Sequence, residues 1–259
     1  PGATVHRLVR PRLSAPAADA HKYTRGLVAV VAGEMAGAAA LSATAAARGG
    51  AGYVRLLGAQ AIVDTPHAIV RASLRDEAAL ADRRVAALLI GPGLGRSDAS
   101  RDKLAAALAH GHAAVLDADA LWHLADIGFD CLPERAILTP HAGEFARLFP
   151  DVQGTVIDQA LEGARRSGAV LLLKGPVSVV AAPDGRAFVG DRATSWLSTA
   201  GTGDVLAGLC AARLAVSGDP LVAAREALWL HGEAARRAGP AFIADDLLRS
   251  ISAAILVCL

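Results

Sequence analysis

Gly201-Thr202-Gly203-Asp204 opens an apolar run and follows the small and hydroxyl residues Ser198-Thr199-Ala200. Glycines let backbone N–H groups come close to a ligand. A helix starting here would add unpaired N–H groups and the positive end of its dipole. Together these make an anion site suited to phosphate, with Gly201, Thr202 and Gly203 as the anion hole. An aspartate at its edge can take a proton from a hydroxyl that attacks phosphorus. The same residues also suit a plain turn with Asp204 as a helix cap, so the reading depends on what the chain places beside them.

Several clusters compete for that place. Gly91-Pro92-Gly93-Leu94-Gly95 lacks the spacing of the dinucleotide fingerprint, and no Gly-x-x-x-x-Gly-Lys follows a strand; it is a tight turn or a close approach to a flat ligand. Asp117 falls at a strand end, where a carboxylate can hold the water shell of a magnesium ion. Asp119 suits a helix N-cap. His141 and Glu144 are three apart at a helix start and share a face; His141 can bind a hydroxyl or carboxamide, and Glu144 suits a first-turn carboxylate. Lys174, one of three lysines, ends an apolar strand. It can snorkel to solvent or reach a nucleotide phosphate. His231 is expected as a hydrogen-bonded, partly buried histidine, and Tyr23 and Trp196 as residues that flank the site or pack in the core or a lid.

The elements that must position these residues are legible as short apolar runs alternating with Ala-rich helical stretches. Strands are predicted at 27–32, 53–57, 85–90, 113–116, 136–139 and 169–173, and helices at 37–48, 98–109 and 155–167. The strands are continuous apolar runs, as in a sheet buried on both faces. Their alternation with helices predicts βαβ units, a mostly parallel sheet and helices on both faces. Residues 177–182 and 187–189 around Pro183-Asp184-Gly185-Arg186 read as a β-hairpin extension. From 203 the chain reads as helical, at 203–216, 220–238 and 245–255. Residues 1–25 read as an N-terminal arm and 26–259 as one domain. The glycine and polar clusters all follow predicted strands, so they gather on the rim where open α/β sheets bind ligands.

Composition narrows the function. The chain has 259 residues, 53% hydrophobic, 20% charged and 4% aromatic, with a formal net charge of +1. That fits a folded protein and gives no reason to expect a nucleic-acid partner. No apolar run approaches the roughly 18 residues of a membrane span. Cys131, Cys210 and Cys258 lie far apart, odd in number and without zinc spacing; they are expected as buried small hydrophobes in a reducing, cytoplasmic protein. The chain begins at Pro1, which fits either removal of a methionine or a piece of a longer protein.

The ordered set Lys22-Tyr23-x-x-Gly26, Gly37-Ala38, Arg48-x-Gly50-Ala51-Gly52, Gly91-Pro92-Gly93-Leu94-Gly95, Asp117-Ala118-Asp119-Ala120-Leu121, Thr139-Pro140-His141-x-Gly143-Glu144, Leu173-Lys174-Gly175 and Gly201-Thr202-Gly203-Asp204 to Gly208 resembles the ADP/ATP-dependent NAD(P)H-hydrate dehydratase family of the ribokinase-like superfamily. The resemblance implies a ribokinase-like α/β fold and a hydro-lyase that repairs (6S)-NAD(P)H hydrate. ADP or ATP phosphorylates the C6 hydroxyl, and loss of phosphate restores the C5–C6 double bond. It further implies that Ala38, Gly93, His141 and Asp204 contact the hydrate, with Asp204 as the base. Lys174, Gly175, Pro176, Val177, Ser178, Thr202 and Gly203 would contact the nucleotide. Glu144, with Asp117, would hold Mg²⁺ through water or phosphate. Implied partners are a fused or separate NAD(P)H-hydrate epimerase and, for so Ala- and Leu-rich a chain, further copies in a homo-oligomer. Ala142, Trp122, Ser178 and the stretch 192–197 depart from the family pattern and bear on nucleotide preference. Two rivals share the Gly-Thr-Gly-Asp turn: a ribokinase-like kinase of a hydroxymethyl or hydroxyethyl vitamin precursor, and a non-catalytic nucleotide-binding protein.

Overall fold

A computed structural model describes residues 2–58, 65–73 and 77–259. The strands are β1 (Thr4–Arg7), β2 (Leu27–Val31), β3 (Tyr53–Leu57), β4 (Val70–Ala72), β5 (Val85–Ile90), β6 (Ala114–Leu116), β7 (Ala136–Leu138), β8 (Val170–Leu173), β9 (Val179–Ala181) and β10 (Arg186–Val189). They form one sheet in the order β1-β10-β9-β8-β7-β6-β5-β2-β3-β4. Pairing is parallel except for β8 with β9 and β9 with β10, the predicted hairpin extension. The first 25 residues supply β1, which pairs with β10 at the sheet edge. Sequence reading misses β1 because it is exposed along its whole length and carries no apolar pattern.

Continuous apolar strands fill two cores. In β2, Val28 and Val30 point into one, while Leu27, Ala29 and Val31 point into the other, as the two-residue period of a strand requires. The helices are α1 (Ala36–Arg48), α2 (Glu77–Leu80), α3 (Asp98–Leu108), α4 (Asp119–Ile127), α5 (Ala142–Leu148), α6 (Val156–Ser167), α7 (Thr202–Ser217), α8 (Pro220–Ala238) and α9 (Ala244–Leu256). The first core packs β2 and β5 under α1, α7, α8 and α9; the second packs the other face under α3 to α6. Helix α7 is buried on nearly every side, which explains why its sequence is apolar all round rather than striped.

The chain runs outward from β2 through β3 to β4, then returns to place β5 on the other side of β2. Strand order reverses there, and such switch points leave a crevice beyond the strands' C-terminal ends. One expectation fails in the fold, and an open alternative is decided. Cys131 is exposed, in the turn after α4, whereas Cys210 and Cys258 are buried. Tyr23 packs edge-on against Tyr53 at the start of β3, 5.7 Å between ring centroids, which puts it at the opposite end of the strands from the rim.

Candidate functional site

Helix α7 begins on the rim with Thr202 as its first residue, and Gly201 before it has φ 88°. A Cβ at Gly201 would lie 2.8 Å from Leu41 and 2.9 Å from Ala244, so backbone angle and space both demand glycine. Thr202 builds the turn: its hydroxyl donates to the carbonyls of Leu197 and Thr199, at 2.8 and 2.9 Å, and its N–H donates to Thr199 at 3.4 Å. The N–H groups of Gly203 and Asp204 precede the first intrahelical bond, which Val205 donates to Gly201 at 3.1 Å. They are the donors free to meet an anion. Burial and the nearby Asp117 charge push the Asp204 carboxyl up to about 7, against the pull of Lys174. A carboxyl that releases its proton near neutrality suits a general base.

Lys174 reaches this turn from β8. Its Nζ lies 3.7 Å from where a Cβ of Gly203 would stand. It donates to Asp117 Oδ1 at 2.6 Å and lies 4.0 Å from Glu144 Oε2. Burial works against its charge, but Asp117 and Glu144 outweigh burial and hold its pKa above the usual lysine value. Burial raises the Glu144 carboxyl, opposed by Lys174 and reinforced by Asp117. His141 caps α5: its Nδ1 accepts from the N–H groups of Gly143 and Glu144 at 3.0 and 3.2 Å, while Glu144 Oε2 accepts from the His141 N–H at 2.8 Å. With Nδ1 committed as an acceptor, Nε2 carries the proton of the neutral ring and is the atom His141 can offer a ligand.

A family profile described as NAD(P)H-hydrate dehydratase matches residues 28–256. This chain belongs to that family. The bifunctional NAD(P)H-hydrate repair enzyme of Salinibacter ruber is 39% identical over 268 residues, covering 90% of this chain and 48% of that relative. The chain thus spans about half the length of that two-function protein. The ADP-dependent (S)-NAD(P)H-hydrate dehydratase of Neisseria meningitidis is 36% identical over 241 residues, 85% of this chain and 80% of the relative. The crystal structure of the ADP/ATP-dependent NAD(P)H-hydrate dehydratase from Bacillus subtilis, co-crystallised with ATP/Mg²⁺, superimposes with a TM-score of 0.82 at 28% identity, covering 96% of this chain and 95% of that one.

In this member of the family the 91–95 turn meets the start of α1. Gly93 accepts from the Met35 N–H at 2.9 Å, and the half-buried Ala38 follows one turn later. Asp119 is not an N-cap; no side chain caps α4. Its carboxylate accepts instead from the Gly95 N–H at 3.0 Å and from Arg96 Nε at 2.9 Å. His123 Nε2 adds a 3.0 Å bond to the Gly95 carbonyl, so α4 clamps the turn. Ala118, between the two aspartates, has φ 47°. This strained angle, worth about 1–3 kcal/mol, lets Asp117 face Lys174 and Asp119 face the 91–95 turn.

The predicted nucleotide residues divide. Lys174 faces the acidic rim. Ser178 closes its own loop, accepting from the Gly175 N–H at 3.2 Å and donating to the Gly175 carbonyl at 3.1 Å. Ser178 also lines a cavity of about 760 Å³ with Arg192, Trp196, Trp229, His231 and Arg236, whereas Lys174, Gly175, Pro176 and Val177 do not line it. His231 is buried, as expected, and its Nε2 donates to the Thr202 carbonyl at 2.9 Å, joining the cavity wall to the anion turn. Sequence reasoning missed Asp119, His123, Met35, Trp229 and Arg236. Of these, only Asp119 sat in a motif, and its N-terminal helix position concealed its partner.

Proposed function

We propose that this chain dehydrates NAD(P)H hydrate back to NAD(P)H with ADP or ATP as phosphoryl donor. Asp204 carries the reading: it is a half-buried carboxyl titrating near 7, set beside free helix N-terminal amides and the Lys174 ammonium. Related enzymes named for this reaction support it. The hydrate lies between Ala38, Gly93 and His141, with its C6 hydroxyl at Asp204. The nucleotide base enters the cavity beside Ser178, Trp196 and Trp229, and its phosphates run over His231 toward Gly203.

Asp204 takes the hydroxyl proton while the oxygen forms its bond to the terminal phosphorus and the nucleotide leaves with the bonding pair. The Gly203 and Asp204 amides and Lys174 stabilise charge on the transferring group. Phosphate then departs with the C6–O pair, C5 loses a proton, and the C5–C6 double bond forms. Hydroxide leaves poorly and phosphate leaves well, which is why a nucleotide is consumed.

Magnesium fits one of its two expected ligands. Asp117 is ion-paired and only 2% exposed in its side chain, whereas Glu144 is 19% exposed and its Oε1 has no closer partner among the described residues than His141 Nε2 at 3.6 Å. Among the described residues no three His, Cys, Asp or Glu side chains converge on a metal position, so Glu144 would share the ion with phosphate oxygens and water, the coordination Mg²⁺ prefers. Bound there, the ion neutralises phosphate charge. Asp117 serves instead to hold Lys174.

A reducing, cytoplasmic setting is supported by three cysteines that form no disulfide. A separate or fused epimerase partner is supported by the bifunctional relatives. Self-association is supported by exposed Ile243, Leu256 and Leu259. No described helix is long and apolar enough to cross a membrane.

The test is absorbance at 340 nm with purified NADH hydrate, Mg²⁺ and ADP, ATP or no nucleotide. A nucleotide-dependent rise is expected, and Asp204→Asn should lower it by about 10²–10⁴-fold. A stable phosphorylated product without that rise would instead identify a kinase.

A further inference from the structure

The N-terminal arm and α8 line a smaller cavity of about 260 Å³, formed by residues 9–12 and by Val222, Arg225 and Glu226. The stretch 9–12 is held at both ends. The Leu8 N–H donates to Val189 at 2.7 Å, and the Leu13 N–H donates to the last turn at Cys258 at 2.8 Å. Leu8 and Leu13 are buried, and Pro11 stiffens the span between them. Arg10 and Arg12 are therefore carried over α8 by a fixed bridge rather than a loose end.

Arg225 faces them from α8. Its guanidinium carbon lies over Phe188, 3.8 Å from the ring centroid, a cation–π contact that holds the head group in place. Its Nε is buried and has no hydrogen-bond partner, the one such side-chain atom among the described residues. The acids nearby are already engaged. Glu226 accepts from Arg213 at 2.6 Å, and Asp219 caps α8 through the N–H groups of Leu221 and Val222 at 2.8 and 3.0 Å. Burial and the like charge of Arg186 lower the Arg225 pKa. Among the described residues Arg10, Arg12 and Arg225 form no ion pair, although thirteen other arginines do. Three guanidiniums without an ion-pair partner around one cavity, one of them carrying an unmet donor, call for an oxyanion with several acceptor oxygens, and the planar fork of arginine matches phosphate.

We propose that Arg10, Arg12 and Arg225 form a second anion site that binds a phosphate dianion, free or as the monoester of a small metabolite. Leu8 and Leu228, which converge near Gly190, line the larger cavity and not this one, and the two cavities share no lining residue. Arg225 and His231 stand on the same helix, six residues apart, so the anion orders the element that also holds Thr202.

The test is calorimetric titration of the full chain with inorganic phosphate and, separately, with glycerol phosphate, against chloride at matched ionic strength. Saturable one-to-one binding is expected, at least tenfold weaker in Arg225→Gln and in the double variant Arg10→Gln/Arg12→Gln, and retained in Lys174→Met. The arm variant leaves α8 untouched, so a folding defect at Arg225 does not decide the outcome. The tighter of the two ligands names the source of the phosphate. Absence of saturable binding, or loss in Lys174→Met with full binding in both arginine variants, overturns the proposal.

Discussion

Asp204 holds its proton near neutrality because burial and Asp117 act in one direction and Lys174 in the other. Its ionised form is the base, so kcat/KM should rise with pH through about 7 and then level. Asp117→Asn removes the nearer negative charge and keeps an oxygen for Lys174. The rising limb should then move to lower pH, read from the midpoint of the pH–rate profile rather than from its height. The same residue makes a stability prediction of definite sign. A carboxyl raised from 3.8 to about 7 binds more protons in the folded than in the unfolded protein, so its contribution falls as pH rises through that window. Asp204→Asn should therefore melt several degrees higher than the parent at pH 8, and the gap should close toward pH 4. Calorimetric melts of the two proteins check this, and an unchanged gap would sink the burial argument.

Helix α7 can carry Asp204 to the rim only because α1 packs tightly against it. The Ser42 hydroxyl donates to the Asp204 carbonyl at 2.9 Å, and a Cβ at Gly208 would stand 2.2 Å from the Ser42 carbonyl oxygen. Gly208→Ala must push the two helices apart and should cost about 1–3 kcal/mol, measured by denaturant melts. On the other side of the crevice, α4 fixes the 91–95 turn through Asp119 and His123. Asp119→Ala frees that turn while leaving Asp204 and Lys174 in place. Steady-state kinetics should show KM for the hydrate rising several-fold with kcat little changed; a loss confined to kcat would contradict a purely positioning role. The element boundaries that sequence reading placed best were the strands buried on both faces, where an unbroken apolar run has no other stable home.

At the scale of the molecule, two buried groups bend stability with pH in opposite directions. Burial holds His231 down to about 4, so the unfolded chain binds its proton first, and stability is lost as pH falls from 6.5 toward 4. His231→Gln should make melting temperature fall as pH rises through that window, because the Asp204 term then stands alone, while Asp204→Asn should make it rise by leaving the His231 term alone. The sequence by itself determined the alternating elements, the sheet buried on both faces, the hairpin, and the gathering of glycine and acidic clusters on one rim. These follow from period, run length and turn chemistry, which are local. It also marked Asp204, Lys174, His141 and Glu144, because each sits where an element begins or ends. Only the tertiary structure decided their partners: that Asp117 serves Lys174, that Asp119 clamps the 91–95 turn instead of capping α4, that His231 braces Thr202, that Tyr23 lies at the other end of the sheet, and that the arm becomes strand β1. Each depends on residues brought together from distant parts of the chain, and on burial. Neither spacing nor composition encodes which charged group will face which once ten strands have been ordered into one sheet.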